Sequence, residues 1–582
     1  MRGNYSLFLL ASASLAALIL GSIGFHDLDP EQGWFTSVYK AVQLFSMESG
    51  VIEAKQTPVG LEVSRWLALG ALVGGIYATL FSLLSGFSEA RRLAGMRDHA
   101  IVCGVGNRGG EIAKAFLRCG NRRVVIIEND EGNGSLGELR GVADASQARL
   151  CVLSGNALDE AILIRAGVRS ARVLVAVTGR DDKNLSICAE AERMNGACVL
   201  SAGVESWAWR AFCLDRIGSR IRLDSYLSRA ARSLTLEIAC EAVQDERIRA
   251  EGIRVLIEAS PEMRQEFVRA AALNFQISGD RRPILELTAS SEEEERAFAE
   301  RFPAWALVVD LRWHRESASG IFAEKGSHCP DFAVFALGED VRTLEVAERC
   351  RMRNSILSHR VFACVRLDSD FLELLSMKKK TDDFQVRNLF RLGLGSTDPT
   401  EADIEHRARV CHGIYFRSER SKNPNYGNNL GDLPEEWERL PERVRESNRL
   451  AAMHHEVKRV AWEHRGEKPP LELLHQLSRC EHMRWMAEKV MDGWRWSGSV
   501  NKESRDNSRL RHHLLVSYDA LDQPEKDKDF NAFLWALSLS EVELNQINLS
   551  EEVKMLVRKD FSYASACETR ASGRDSINGN VS

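Results

Sequence analysis

Several things are missing from this chain of 582 residues. Its 13 cysteines never stand as C-x-x-C, which excludes the common zinc and dithiol spacings. Cys103, Cys119, Cys151 and Cys188 lie in apolar stretches instead. Such thiols are expected to be reduced and mostly buried in a cytosolic setting, not paired in a disulfide framework. Neither H-E-x-x-H nor H-x-H occurs, so no metal-ligand spacing is offered. No G-x-S-x-G occurs, no nucleophile–base constellation stands out, and no catalytic residue is assigned. Positive charge is not in excess, because 77 Lys and Arg face 83 Asp and Glu for a net charge of −6. No global field draws such a chain to nucleic acid.

What is present centres on Ala100–Asp130, AIVCGVGNRGGEIAKAFLRCGNRRVVIIEND. Ala100–Gly104 is a short apolar run, as in a buried parallel strand. Gly104-Val105-Gly106-Asn107-Arg108-Gly109 follows as G-x-G-x-x-G. The first glycine allows a tight turn, the second lets backbone approach a pyrophosphate, and the third lets helix and strand pack closely. The spacing predicts a helix over Glu111–Cys119, with its N-terminal N–H groups toward that phosphate. Val124–Ile127 reads as the second strand. Glu128 ends it, about 20 residues past the glycines, where a ribose hydroxyl would sit. Arg108 is either a phosphate contact or a solvated loop cation.

Upstream, Leu7–Phe25 is 19 residues without a charge. As a helix it spans roughly 28 Å, enough for a hydrocarbon core. Val63–Phe87 is a second such run, broken only by Arg65. The loop between them carries Asp27, Asp29, Glu31, Glu48, Glu53 and Glu62, while Arg2 and Arg91, Arg92 and Arg97 flank the pair. The positive-inside rule then puts both ends in the cytoplasm. A cleaved signal peptide is the competing reading of the first run. Gly70 and Gly74 form a GxxxG that could mark helix packing. Trp34–Phe45 has the spacing of a short helix at or in the membrane. This layout resembles that of two-helix potassium channels, with outer helix, pore helix, filter and inner helix. Their filter is a Thr-Val-Gly-Tyr-Gly type run, and here the stretch is Ser46-Met47-Glu48-Ser49-Gly50. An anchoring hairpin and a conducting pore both remain open.

Downstream, Arg149–Leu153 and Arg172–Val177 read as further strands. Ser154-Gly155-Asn156-Ala157 follows the first, and Thr178-Gly179-Arg180-Asp181-Asp182-Lys183-Asn184 the second. GVGNRG, Glu128, LSGNALDEAILIRAGV (Leu153–Val168) and VAVTGRDDKNL (Val175–Leu185) together resemble the nucleotide-binding domain of regulators of potassium conductance and bacterial potassium-uptake regulators. The resemblance covers about Asp98–Leu236. It implies NAD(H) or another adenine nucleotide held by Gly104, Gly106, Asn107, Arg108, Gly109, Glu128, Asn129, Asn156, Ala157 and Thr178. Asn156 stands where that family usually carries Asp.

The segment FAVFALGEDVRTLEVAERCRMR (Phe332–Arg353) echoes VLVAVTGRDDKNLSICAEAERM (Val173–Met194). With strand-like runs at Ile253–Ile257, Ile284–Leu287, Ala306–Leu311 and Val361–Leu367, it predicts a second α/β unit. Glu258-Ala259-Ser260-Pro261 replaces the glycine loop there, so the unit is expected to be degenerate.

Past the turn-rich Asn423–Gly431, Arg443–His464 and Leu471–Met491 read as long helices. His482-x-x-Trp485, Gly493-Trp494-x-Trp496-x-Gly498, Leu514-Leu515-Val516-x-Tyr518 and Pro524-Glu525-x-x-Lys528-x-Phe530-Asn531 resemble the repeat domain of ryanodine receptors. That resemblance implies a small-ligand module. An aromatic pair with cations suits a base and its phosphate, which nominates His482, Trp485, Lys489, Trp494, Trp496, Tyr518, Lys528 and Asn531. For the tryptophans, a plain role in the core of a small helical domain competes with this.

The expected fold class is a membrane α-hairpin plus tandem Rossmann-like doubly wound α/β units, then a small helical domain. The divisions fall at 1–97, 98–250, 251–422, 423–550 and a polar tail 551–582. The expected function is a nucleotide sensor, not an enzyme, embedded in the inner membrane with its N-terminus and bulk in the cytoplasm. Its partners are the lipid bilayer, a small nucleotide and further copies of itself as a homo-oligomer. Its output is ion passage, or membrane disruption as in a defence effector. A non-conducting anchored regulator is the alternative, and an NAD-dependent oxidoreductase the least favoured.

Overall fold

The computed structural model describes residues 2–46, 57–118, 123–214, 216, 220–288, 291–315, 318, 329–353, 360–366, 385–394, 402–421, 437, 439–464, 466, 470–534 and 537. The stretch from Met47 to Gly50, the turn-rich Asn423–Gly431 and the polar tail lie outside the described residues.

The two runs poor in charge form the longest helices, Arg2–Leu28 and Val59–Ala94. Each contains a 19-residue window apolar and long enough to cross a membrane, Leu10–Leu28 and Val59–Tyr77. They pack against each other closely. A Cβ on Gly24 would meet Leu61 Cβ at 2.7 Å, and one on Gly74 would meet Leu10 at 2.7 Å. Gly70 faces open space, so only half of the expected GxxxG packs within this hairpin. Gly21 of the first helix is another close approach, where a Cβ would meet Ser64 Oγ at 2.7 Å. Ser64 Oγ donates to the Ala17 carbonyl at 2.6 Å across the pair. The predicted short helix is present as Gly33–Gln43. It buries Ser37 and Ala41 and exposes Trp34, Phe35, Tyr39 and Val42.

Six parallel strands follow: β1 Ala100–Cys103, β2 Arg123–Glu128, β3 Arg149–Ser154, β4 Val173–Ala176, β5 Val199–Gly203 and β6 Ile221–Asp224. Their order is β3-β2-β1-β4-β5-β6, the doubly wound order of a Rossmann unit. The central β1 and β4 are buried at every residue, while the edge strand β3 alternates. That is the pattern expected of a sheet covered by helices on both faces. The helix after the glycine loop runs Asn107–Arg118. It starts four residues before the expected Glu111, because Asn107 and Arg108 already form its first turn.

A second sheet repeats the plan. β7 Arg254–Ala259, β8 Ile284–Thr288, β9 Asp310–His314, β10 Phe332–Ala336, β11 Val361–Val365 and β12 Gln385–Asn388 are ordered β12-β11-β10-β7-β8-β9. The sequence echo falls on structurally equivalent strands, β4 and β10, each the fourth of its sheet. The likeness extends to hydrogen bonds. Asn184 Oδ1 accepts from the Thr178 N–H at 2.8 Å, and Thr343 Oγ1 accepts from the Leu337 N–H at 3.2 Å. Gly179 and Gly338, one residue after each of these amides, both have φ +83°. β9 begins later than the expected Ala306, because Trp305–Leu307 is a 3-10 turn.

The helix Tyr226–Ala242 leaves β6 and packs on Pro261–Asn274 of the second unit and on Glu442–Glu463 of the last module. Arg210 and Glu266 join the two α/β units through a buried pair at 2.6 Å. The helix Ala402–Ser421 packs on Glu442–Glu463 and touches Gln523–Leu534. It therefore sides with the C-terminal helices, not with the α/β unit expected to end at residue 422. The long helices Glu442–Glu463 and Pro470–Met491 carry a fully buried charge network. Lys458 bonds Glu481 at 2.6 Å, and Arg484 bonds both Glu481 and Glu488. Such groups stay ionised in the interior only because each is paired.

Candidate functional site

The glycine loop lies where the strand order reverses, between β1 and β4. Ligands of open α/β sheets bind in this crevice. Gly104 has φ +87°, and a Cβ there would stand 2.9 Å from Thr178 Cα. A Cβ on Gly109 would stand 1.9 Å from the Gly104 carbonyl oxygen. Gly106 meets nothing within 4 Å. The outer two glycines are thus demanded by the protein's own backbone, and the middle one faces open space, as approach by a ligand requires.

Glu128 ends β2 with its carboxylate turned to the loop. Its Oε2 accepts from the Val105 N–H at 2.8 Å, and its Oε1 from the N–H groups of Asn129 and Asp130 at 2.8 and 3.0 Å. Asn156 and Ala157 follow β3, and Asn156 Oδ1 accepts from the Leu158 N–H at 3.1 Å. Thr178 follows β4, with both its N–H and Oγ1 donating to Asn184 Oδ1 at 2.8 Å. Asn184 Nδ2 in turn donates to the Gly203 carbonyl at 2.8 Å. Gly104, Gly106, Asn107, Gly109, Glu128, Asn129, Asn156, Ala157 and Thr178 all gather at the carboxyl ends of four adjacent strands.

Arg108 is the exception. Its guanidinium pairs with Glu205 beyond β5 and lies 5.3 Å from the Tyr226 ring centroid. Tyr226 stacks on Phe390 of the second unit at 5.2 Å. Arg108 is therefore paired within the first unit, next to the tyrosine that meets the second. Glu205 was not among the sequence candidates, whereas Asn184 closes the Thr-x-x-x-x-x-Asn loop that the family resemblance implies at the nucleotide. Asp224 beside them is buried, which alone would raise its carboxyl pKa. Arg229 at 2.8 Å and the nearby Arg222 hold it below the usual carboxylate range.

A second recess, about 930 Å³, opens in the C-terminal helical module. His482, Trp485, Lys489, Trp494 and Lys528 line it. Two nominated residues do not. Tyr518 is buried elsewhere, its hydroxyl 2.9 Å from Ser478 Oγ. Trp496 projects into solvent from the two-residue strand Arg495–Trp496. Trp494 precedes that strand, so strand alternation does not bring the two tryptophans to one face. The side chain of Asn531 lies outside the described residues. His482 serves the module's own structure, because its ring nitrogens face the Val516 carbonyl at 2.9 Å and Asp529 at 3.3 Å. The recess also takes in residues that the motif reading missed, notably Tyr415, Lys502, Arg505, His512 and His513. His512 is packed between Trp485 and Trp494, and burial with Arg505 nearby pushes its pKa down to about 3. Among the described residues no group of three or more His, Cys, Asp or Glu side chains is placed to hold a metal ion.

Three comparisons bear on these sites. Residues 100–206 match the family model of the TrkA-N domain. Potassium channel protein 1 of Methanocaldococcus jannaschii is 29% identical over 188 residues, which is 30% of this chain and 54% of that protein. An uncharacterized protein of Methanothermus fervidus is 32% identical over 120 residues, 21% of this chain and 18% of that protein. The chain thus spans about half the length of the first relative and under a fifth of the second. Among solved structures, "GsuK channel bound to NAD" gives a TM-score of 0.33 at 13% identity, covering 72% of this chain and 84% of that one. "Crystal structure of the GsuK bound to ADP" gives 0.34 at 14%, covering 67% and 95%. Overlays this loose transfer no geometry. What the sequence matches do carry is that the glycine-loop unit contains a TrkA-N domain and that part of the chain is similar to a potassium channel protein.

Proposed function

We propose that this protein is a membrane-anchored nucleotide sensor whose first α/β unit controls a channel-like assembly of the hairpin. The observation that carries the reading is the union of glycine loop and membrane helix. Gly106 is open at the switch point, and the helix Val59–Ala94 enters the same domain. Leu93 and Met96, at and just past its end, are buried in that domain's core. A ligand shifts such an assembly only through different affinity for its two arrangements. The TrkA-N match and the potassium channel relative support the reading.

NAD(H) or another adenine nucleotide is the proposed ligand. Gly104, Gly106 and Gly109 would form its phosphate cradle, with Glu128 toward the ribose. The hairpin would lie in the inner membrane with both ends cytoplasmic, as a homo-oligomer. Ser46-Met47-Glu48-Ser49-Gly50 departs from a potassium filter, which favours a less selective path or membrane disruption over potassium conduction. The C-terminal module is read as a ryanodine-receptor-type repeat from its spaced motif pieces. No enzymatic step is assigned.

The test is ion leakage from liposomes holding the full chain, with NAD, ATP, ADP-ribose and cyclic nucleotides added in turn. Ligand-dependent leakage that Gly106→Trp abolishes is expected. Silence across the series would overturn the channel reading, and leakage indifferent to Gly106→Trp would overturn the loop's role.

A further inference from the structure

The recess in the C-terminal module has features that its own packing leaves unused. Trp494 is 7% exposed and lines the recess, yet its Nε1–H has no hydrogen-bond partner. His513, equally buried and on the same wall, leaves Nδ1 without a partner. A buried donor without an acceptor costs free energy unless a ligand or water supplies one. The cations around the recess divide into two groups. Arg443, Arg484, Lys489 and Lys528 are each paired with a carboxylate. Lys502 and Arg505 have no carboxylate partner among the described residues. Arg505 only donates to the Asn507 amide oxygen at 2.8 Å and lies 6.0 Å from the Trp494 ring centroid. The aromatic lining is continuous, with Trp485 4.9 Å and Trp494 5.7 Å from His512 by ring centroids.

We propose that this recess binds a nucleotide-class ligand, a flat heteroaromatic ring carrying phosphate. Trp485, Trp494 and His512 receive the ring, and Lys502 and Arg505 the phosphate. Aromatic faces accept any base by stacking, and an indole N–H gives a ring nitrogen or carbonyl a donor. Two uncompensated cations at the mouth suit a group of two negative charges. The volume sits near the top of the range of roughly 300–1,000 Å³ usual for ligand pockets, so an apolar fragment would leave it part-filled. The far wall is not part of the repeat-like motif. Tyr415 belongs to Ala402–Ser421, and Asn448 to Glu442–Glu463. A bound ligand therefore touches three helical segments at once and ties the module to the helices that meet the α/β units. The site is separate from the glycine loop and stands or falls without it.

The test is calorimetric titration of the full chain in nanodiscs with ADP, GDP, CDP, UDP and ADP-ribose, and with inorganic phosphate and adenosine as controls. It is run on a Gly106→Trp background to silence the first loop. At least one nucleotide is expected to bind better than either control. Lys502→Glu with Arg505→Glu, both exposed positions, should weaken it about tenfold or more. Trp494→Phe should weaken it about threefold with little change in melting temperature. The proposal is overturned if no nucleotide binds, if phosphate alone binds as well, or if binding ignores the Lys502 and Arg505 changes.

Discussion

Glu128 accepts the Val105 N–H at 2.8 Å, so the acid at the end of β2 is tied to the glycine loop before any ligand arrives. The same carboxylate gathers the next two amides of its own turn. It fixes the distance between loop and strand end. Glu128→Ala should lower both nucleotide affinity, about tenfold or more, and domain stability, by about 1–3 kcal/mol for the abandoned backbone donors. Glu128→Gln keeps an acceptor and should spare most of the stability. Calorimetry and urea unfolding on the two variants separate these effects.

The three glycines should separate by experiment. Gly109→Ala places a methyl group against the Gly104 carbonyl and should lose about 1–3 kcal/mol, or more if the helix cannot shift. Gly106→Ala meets nothing and should leave the melting temperature nearly unchanged. Comparable melting temperatures for the two would refute this account of the loop.

Asn184 is nearly fully buried and serves three backbone or hydroxyl partners. Asn184→Leu should destabilise the first unit by about 2–4 kcal/mol, since the Thr178 amide and the Gly203 carbonyl lose their partner. Thr343→Val, at the equivalent position of the second sheet, removes one such bond and should cost about 1 kcal/mol. Chemical denaturation of each single variant gives the comparison.

Arg210 and Glu266 are buried against each other between the two α/β units. Arg210→Met strands the carboxylate and should cost about 3–5 kcal/mol. Adding Glu266→Leu should recover much of that loss. A double variant no more stable than Arg210→Met alone would show that the pair is not the cause.

Acid should loosen the C-terminal module first. His512 is pushed down to about 3, chiefly by burial, and burial likewise lowers His454 and His455. The folded state then binds fewer protons than the unfolded chain, whose histidines titrate near 6.5. Stability from these groups is present above about pH 6.5 and falls as pH drops toward 3. At pH 5, His512 alone should account for about 2 kcal/mol. The near-ultraviolet circular dichroism of Trp485 and Trp494 should fade over that range, and His512→Gln should flatten the slope.

Much of this was legible in the sequence because the signals were local. β1, the glycine loop and Glu128 lie within 30 residues and obey one spacing. The echo between Val173–Met194 and Phe332–Arg353 placed β4 and β10 in equivalent positions of two sheets. What escaped was decided across the chain. Arg108 read as a phosphate contact or a solvated cation, and its pairing with Glu205, almost a hundred residues on, had no local signal. The polar edge strand β12 has no apolar pattern to announce it. The helix Ala402–Ser421 follows the second unit in sequence but packs on later helices. In the last module, motif positions found the tryptophans. Only the fold showed that Trp496 points away, while Lys502, Arg505 and His512 converge.

The junction at residues 93–100 leaves no slack between the long helix and the sheet. Leu93 and Met96 are core residues, the Asp98 N–H donates to the Ser170 carbonyl at 2.8 Å, and β1 begins at Ala100. The 36-residue helix Val59–Ala94 is therefore a rigid lever seated in the nucleotide domain. At about 1.5 Å per residue it is about 54 Å long. A tilt of about 5° at its seat carries its far end by about 5 Å, comparable to one helical turn. A small rotation at the seat is thus geometrically amplified along the helix before it reaches Val59.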